Sequence, residues 1–256
     1  MVATEPIHAD EAQWKSWKED GYVVLEDAIQ GDDLSRLQEA FERLSEESKP
    51  EWLEDVATGK RSSSFFDIPR LVNRDEIFLD MIDHHSTLGI LRDFLGEDML
   101  SGGGLTGRTV PPCPISYVGW HPDMNRENYP LHIKVQVYVN DVGEERGAFA
   151  YVPGSHKEDA GPYPRVKRLD AMPGIKPLPG KAGTAVLFNL YGWHTSMINR
   201  TLEPRKSLII GYSVFHGKRN KYTVRGPEWT ARRAELKKLL TPEREYLFGY
   251  GRIPEV

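Results

Sequence analysis

Three residues of this chain have the types and spacing for metal chemistry: His121 and Asp123, in His121-Pro122-Asp123, and His194, 71 residues beyond Asp123. In extended backbone, residues i and i+2 point to the same side, so one imidazole and one carboxylate can reach a single ion. A barrel that folds back on itself brings the third ligand alongside. Two histidines and a carboxylate on one face of an octahedral metal leave three positions open. That is what non-haem iron(II) needs to take a bidentate co-substrate together with dioxygen.

A His-x-acid pair alone says little, and His8-Ala9-Asp10 and His156-Lys157-Glu158 are further copies. The first lies near the N-terminus and the second at a turn. Neither has a downstream partner at a sensible distance, and both read as surface residues. The pair at His121 has company: Trp193-His194-Thr195-Ser196 is followed, eleven residues after His194, by Arg205. A guanidinium grips a carboxylate through two parallel hydrogen bonds.

The elements that must position these groups change character near residue 100. Before it, helices dominate. Trp14 and Trp17 share a face in Glu11–Asp20, and Leu34, Leu37, Phe41 and Leu44 mark a second helix. Ile77, Phe78, Met81 and Ile82 resume the helical period, as do Leu88, Leu91, Phe94 and Leu95 before Gly96. Tyr22–Leu25 is an early strand, and 49–69 reads as an irregular excursion, with Phe65-Phe66 out of place on a solvent-facing loop. After Leu100, short β-rich runs are broken by Gly, Pro and Asn, as in a sandwich or jelly roll. The clearest is 131–140, where Ile133, Val135, Val137 and Val139 alternate with His132, Lys134, Gln136 and Tyr138. One face packs on a core, and in a barrel the polar face can look into a ligand cavity. Further strands are expected at 148–152, 184–189, 195–199 and 207–215, then a solvated basic turn at 218–221 and a helix at 229–240.

Hydrophobic residues make up 39% and charged residues 28% of 256, the proportions of a globular domain with a substantial core. A net charge of −5 argues against nucleic acid or an anionic membrane as the main partner. Cys113 is the only cysteine, which rules out an intrachain disulfide and cysteine-built clusters. No apolar run approaches the length of a membrane span, and the first residues lack the pattern of a signal peptide. A single cytoplasmic domain is expected: a helical scaffold over 1–100, a β core over 101–216 and a helical segment over 217–256. Its oligomeric state is not legible.

The chain resembles the phytanoyl-CoA dioxygenase family of iron(II)- and 2-oxoglutarate-dependent oxygenases. The resemblance rests on His121-Pro122-Asp123, the turn Pro153-Gly154-Ser155-His156, and His194 with Arg205. Gly143–His156 and Glu19-Asp20-Gly21-Tyr22-Val23-Val24-Leu25 also look like the family. It implies a mainly β fold with flanking α-helices around a double-stranded β-helix, the cupin-like jelly roll. It also implies iron(II) on His121, Asp123 and His194, and 2-oxoglutarate and dioxygen as co-substrates. By the same resemblance Arg205 takes the distal carboxylate of 2-oxoglutarate, Ser196 assists it, and Gln136, eleven before Gly147, is a further co-substrate contact. The expected reaction is hydroxylation of an unactivated C–H bond in a small-molecule metabolite, releasing succinate and carbon dioxide. Desaturation, cyclisation and oxidative demethylation share the ligand set. Related halogenases replace the carboxylate by Gly or Ala, so Asp123 disfavours halogenation.

Lys134, Tyr138, His132, Arg108, Asn125 and Trp193 are the candidate substrate contacts, with Tyr117 and Trp120 as flanking aromatics. Two readings from other classes stand beside this one. A non-catalytic cupin-like metal-binding or sensor protein would be marked by loss of a ligand or of Arg205. A zinc hydrolase would use the same triad with an activated water but gives Arg205 no purpose.

Overall fold

The computed structural model describes residues 5–113, 115–127, 129–215 and 227–252. Helix α1 (Glu11–Glu19) opens on a reciprocal cap in which Asp10 accepts from the Gln13 backbone and Gln13 accepts from that of Asp10. Its Trp17 stacks on Phe94, with centroids 4.5 Å apart. Strand β1 (Tyr22–Leu25) follows, then α2 (Gly31–Ala57), β2 (Phe66–Ile68), α3 (Ile77–Asp80) and α4 (His85–Leu95).

Helix α2 overturns part of the expected irregular excursion, since it runs through Pro50 to Ala57. Proline removes one intrahelical donor and crowds the preceding turn. Here the helix continues because Trp52, beyond the proline, packs on Phe66 at 5.4 Å. Phe66 is buried and Phe65 lies against Tyr117, which accounts for the paired phenylalanines.

The remaining elements are β3 (Leu100–Val110), β4 (His132–Tyr138), β5 (Phe149–Tyr151), β6 (Lys176–Leu178), β7 (Ala185–Asn189), β8 (His194–Ser196), β9 (Arg205–Ser213), α5 (Pro227–Lys237) and α6 (Pro242–Leu247). The expected basic turn at 218–221 lies outside the described residues. Six strands form one antiparallel sheet in the order β1-β7-β4-β9-β3-β2, and β6-β5-β8 form a second. This is the two-sheet jelly roll of a double-stranded β-helix. The expected division at residue 100 is not clean, because β1 and β2 from the helical part extend both edges of the large sheet.

The two-residue period of the strands sorts their side chains. Ile133, Val135 and Val137 of β4, Ala185 and Leu187 of β7, and Leu208, Ile210 and Tyr212 of β9 join Leu37, Phe41, Leu44 and Phe78 in a core between sheet and helices. Their neighbours face the second sheet, where Tyr138, Phe149, Tyr151, Val186 and Phe188 form a second apolar cluster. Arg244 of α6 binds Asp83 and Asp80, fixing the C-terminal helix beside α3. Among the described residues no helix is long and apolar enough to cross a membrane.

Candidate metal centre and co-substrate pocket

The tripeptide Gly-Trp-His occurs twice, at 119–121 and 192–194. The two copies run antiparallel and are joined by a bridge in which His121 and His194 exchange both backbone hydrogen bonds, at 3.2 and 3.0 Å. Each imidazole then turns back on its own tripeptide. His121 Nδ1 lies 2.8 Å from the Gly119 carbonyl oxygen, and His194 Nδ1 lies 2.9 Å from that of Gly192. A carbonyl accepts, so each Nδ1 carries a proton and each Nε2 is the nitrogen turned to the cluster, able to coordinate once it is unprotonated.

Asp123 closes the set. Its backbone donates to Leu190 O, just past β7, at 3.1 Å, so His121-Pro122-Asp123 is an irregular segment pinned to a neighbour rather than the expected strand. The carboxylate oxygens lie 3.6 Å from His121 Nε2 and 3.4 Å from His194 Nε2. One ligand atom from each residue falls within 4.8 Å of the others, which suits a single cation.

The electrostatics favour a metal over protons. Burial alone would raise the Asp123 carboxyl. Hydrogen bonding to His121 and His194, together with the Lys134 charge, instead holds it well below the usual carboxylate range. Burial lowers the pKa of His194, which packs among Phe149, Phe188 and Tyr151. His121, more exposed, is raised by its hydrogen bond to Asp123. A carboxylate and one imidazole are therefore ready to coordinate, and the other imidazole yields a proton.

A pocket of about 130 Å³ opens on this cluster, lined by Arg108, Tyr117, Lys134, Gln136, Phe149, Phe188, Thr195, Ser196 and Ile209 beside the three ligands. Beneath Ser196 lies Arg205, 1% exposed. Its Nη1 donates to the Gly147 carbonyl and to Ser196 Oγ, both at 2.7 Å, while Nε and Nη2 are buried without a partner. Gly147 has φ +71°, and a Cβ there would stand 2.9 Å from the Met197 carbonyl, so this contact requires glycine. A buried guanidinium edge with two unused donors is costly unless a carboxylate meets it. Gln136 Nε2 is likewise buried and unpaired. These orphaned donors fit a dicarboxylate co-substrate reaching from the metal position to Arg205.

Other expected residues divide. Lys134 and Arg108 line the pocket. Lys134 Nζ donates to Asp123 Oδ2 at 2.7 Å. Arg108 is held bidentately by Asp67 at 2.7 and 2.6 Å and lies over Phe65 and Tyr117. Tyr138, expected at the substrate, is not among the residues that line the pocket. It is fully buried, donates to the Leu178 carbonyl and accepts from Phe149 N, because it lies too deep between the sheets to reach the pocket. Trp193 packs its ring on Tyr163 and is likewise not among the lining residues. His132, with Nδ1 against the Pro130 carbonyl, and Asn125 stand outside the wall too.

Sequence reasoning missed Gly119, Gly192, Gly147, Phe149, Phe188 and the partnership of Asp67 with Arg108. The doubled Gly-Trp-His was the available signal for the first two. Gly192 is the more constrained, as a Cβ would fall 1.7 Å from the Tyr151 hydroxyl.

The sequence model of the family described as Phytanoyl-CoA dioxygenase (PhyH) matches residues 17–207. An ectoine dioxygenase of Streptomyces coelicolor is 24% identical over 240 residues, covering 82% of this chain and 79% of that protein. A probable alpha-ketoglutarate-dependent hypophosphite dioxygenase of Stutzerimonas stutzeri is 23% identical over 227 residues, covering 78% and 77%. In fold, the chain is similar to HygX of Streptomyces hygroscopicus, solved with nickel and 2-oxoglutarate. There the TM-score is 0.63 at 15% identity, over 81% of this chain and 88% of that one.

Proposed function

This chain belongs to the phytanoyl-CoA dioxygenase family and is an iron(II)- and 2-oxoglutarate-dependent dioxygenase, and from that premise we propose that it hydroxylates an unactivated C–H bond of a small-molecule metabolite. His121, Asp123 and His194 hold the iron, and Arg205, Ser196 and Gln136 hold 2-oxoglutarate. The observation that carries this reading is the Arg205 edge, buried beside a three-ligand cluster with Nε and Nη2 unpaired.

Bound iron(II), 2-oxoglutarate and dioxygen supply the oxidising power, with succinate and carbon dioxide as by-products. The chain supplies position. The Gly119 and Gly192 carbonyls hold the two imidazoles with Nε2 inward. Arg205 neutralises the distal carboxylate, and Ser196 is oriented by the Arg205 hydrogen bond. Phe149 and Phe188 keep the ligand side of the pocket apolar and limit water there. Lys134 steadies Asp123 through one oxygen and leaves the other for the metal.

The test is iron- and oxygen-dependent succinate release from 2-oxoglutarate, measured with and without a panel of small metabolites. Wild type should release succinate, Asp123→Ala should not, and Arg205→Ala should need far more 2-oxoglutarate. Absence of both turnover and 2-oxoglutarate binding in the wild type would overturn the reading.

A further inference from the structure

Resting on the reading above, we propose that the substrate is a small carboxylate and that Lys134 is the residue that pairs with its acid group. The first argument is charge balance. The described pocket groups and their direct partners comprise three cations, Arg108, Lys134 and Arg205, and two carboxylates, Asp67 and Asp123. A divalent metal and a doubly charged co-substrate cancel one another. One positive charge is left over at the pocket, and a monoanionic substrate removes that imbalance.

Geometry places the surplus at Lys134. Arg205 is sealed beneath Ser196 and faces the co-substrate, and Arg108 is matched by both oxygens of Asp67. The Lys134 side chain is 35% exposed, lines the pocket and, among the described residues, makes one hydrogen bond, to Asp123 Oδ2. An ammonium has three donors, so two remain. Across β9 its partner is Gly211, which puts no side chain beside it.

A basic segment lies against the two tripeptides. Trp120, next to His121, donates from its indole to the Leu169 carbonyl at 2.9 Å, and Trp193, next to His194, packs on Tyr163. The segment 163–169 is thus strapped to both ligand-bearing tripeptides. It carries Arg165, Lys167 and Arg168, the last matched bidentately by Asp170 just beyond it.

The experiment uses full-length protein loaded with manganese(II) and 2-oxoglutarate without oxygen, so that nothing turns over. Dissociation constants are measured for straight-chain C3–C8 carboxylates and the common amino acids, each against its primary amide. At least one acid should bind roughly tenfold or more tightly than its amide, as a charge-assisted pair requires. Lys134→Arg should keep that preference, and Lys134→Met and Lys134→Gln should reduce it to within about twofold, each read at manganese and 2-oxoglutarate concentrations that saturate the variant. Melting temperatures of the metal-free variants check folding.

The proposal is overturned if no acid outbinds its amide, or if the preference survives Lys134→Met. Failure of the wild type to bind 2-oxoglutarate at all would sink the family-based reading of the site as well. That result is read before any acid is added.

Discussion

The segments Gly119-Trp120-His121 and Gly192-Trp193-His194 have the same sequence, the same turn of the imidazole onto the glycine carbonyl and a shared backbone bridge, yet they sit in different surroundings. The His194 side chain is 7% exposed and ringed by Phe149, Phe188 and Tyr151, whereas that of His121 is 37% exposed. The difference extends to the glycines. A Cβ on Gly192 would collide with the Tyr151 hydroxyl, itself donated to the Asn189 carbonyl, while a Cβ on Gly119 meets nothing within 4 Å. The local motif therefore sets the orientation of each ligand, and the surrounding packing sets its rigidity and protonation. His194 is the fixed anchor of the centre, and His121 is its solvent-facing, proton-exchanging side.

The comparison can be broken by substitution. The largest effect is expected for Asp123→Ala, which removes the ligand shared by both halves and should take oxygen-dependent succinate release to background. Next comes the glycine pair. Gly192→Ala should destabilise the fold by about 3 kcal/mol or more, by overpacking against Tyr151, and impair metal binding. Gly119→Ala should stay within about 0.5 kcal/mol, which thermal and denaturant unfolding will resolve. If the two alanine variants are equally stable, the asymmetry drawn here is wrong.

Arg205→Ala should weaken 2-oxoglutarate binding by roughly a hundredfold, the scale of losing one partner of a buried charge pair. Metal binding in the same calorimetric titration should change little.

A smaller, sharper test is protonic. His121 is raised by its Asp123 partner and His194 is lowered by burial. In the metal-free protein His121 thus keeps a proton above the ordinary imidazole range, while His194 has lost its proton below that range. Metal binding near pH 6.5 should therefore release about one proton, drawn from His121. Affinity should rise with pH until His121 is neutral and then level off. Calorimetry in buffers of different ionisation enthalpy measures this directly, and release of two protons would contradict the difference between the two histidines.

What was legible in the sequence followed from periodicity. The alternation of β4 put Ile133, Val135 and Val137 into the core and Lys134 and Gln136 on the pocket wall. The same alternation put Tyr138 on that face, where it is buried and does not line the pocket. Period two tells which face a residue takes but not how deep along the strand the cavity ends, and the Tyr138 hydroxyl finds its partners at Leu178 and Phe149. His121, Asp123 and His194 were readable as a group because their spacing and company are unusual. Asp67 was not, because its bond to Arg108 depends on the register of β2 against β3. The helical stretch beyond Pro50 was hidden because the packing of Trp52 on Phe66, a tertiary contact, offsets a local breaker.

The claim at the centre of this account is that Arg205 and the His-Asp-His cluster form one continuous site for iron(II) and 2-oxoglutarate. The most direct test is an anaerobic titration of 2-oxoglutarate into the iron(II)-loaded protein, followed by the visible charge-transfer absorption of the chelated metal. The wild type should saturate at one co-substrate per chain. Asp123→Ala should show no band, and Arg205→Ala should reach the same band only at far higher 2-oxoglutarate. A wild type that binds iron but never develops the band, or an Arg205→Ala variant that titrates like the wild type, would contradict it.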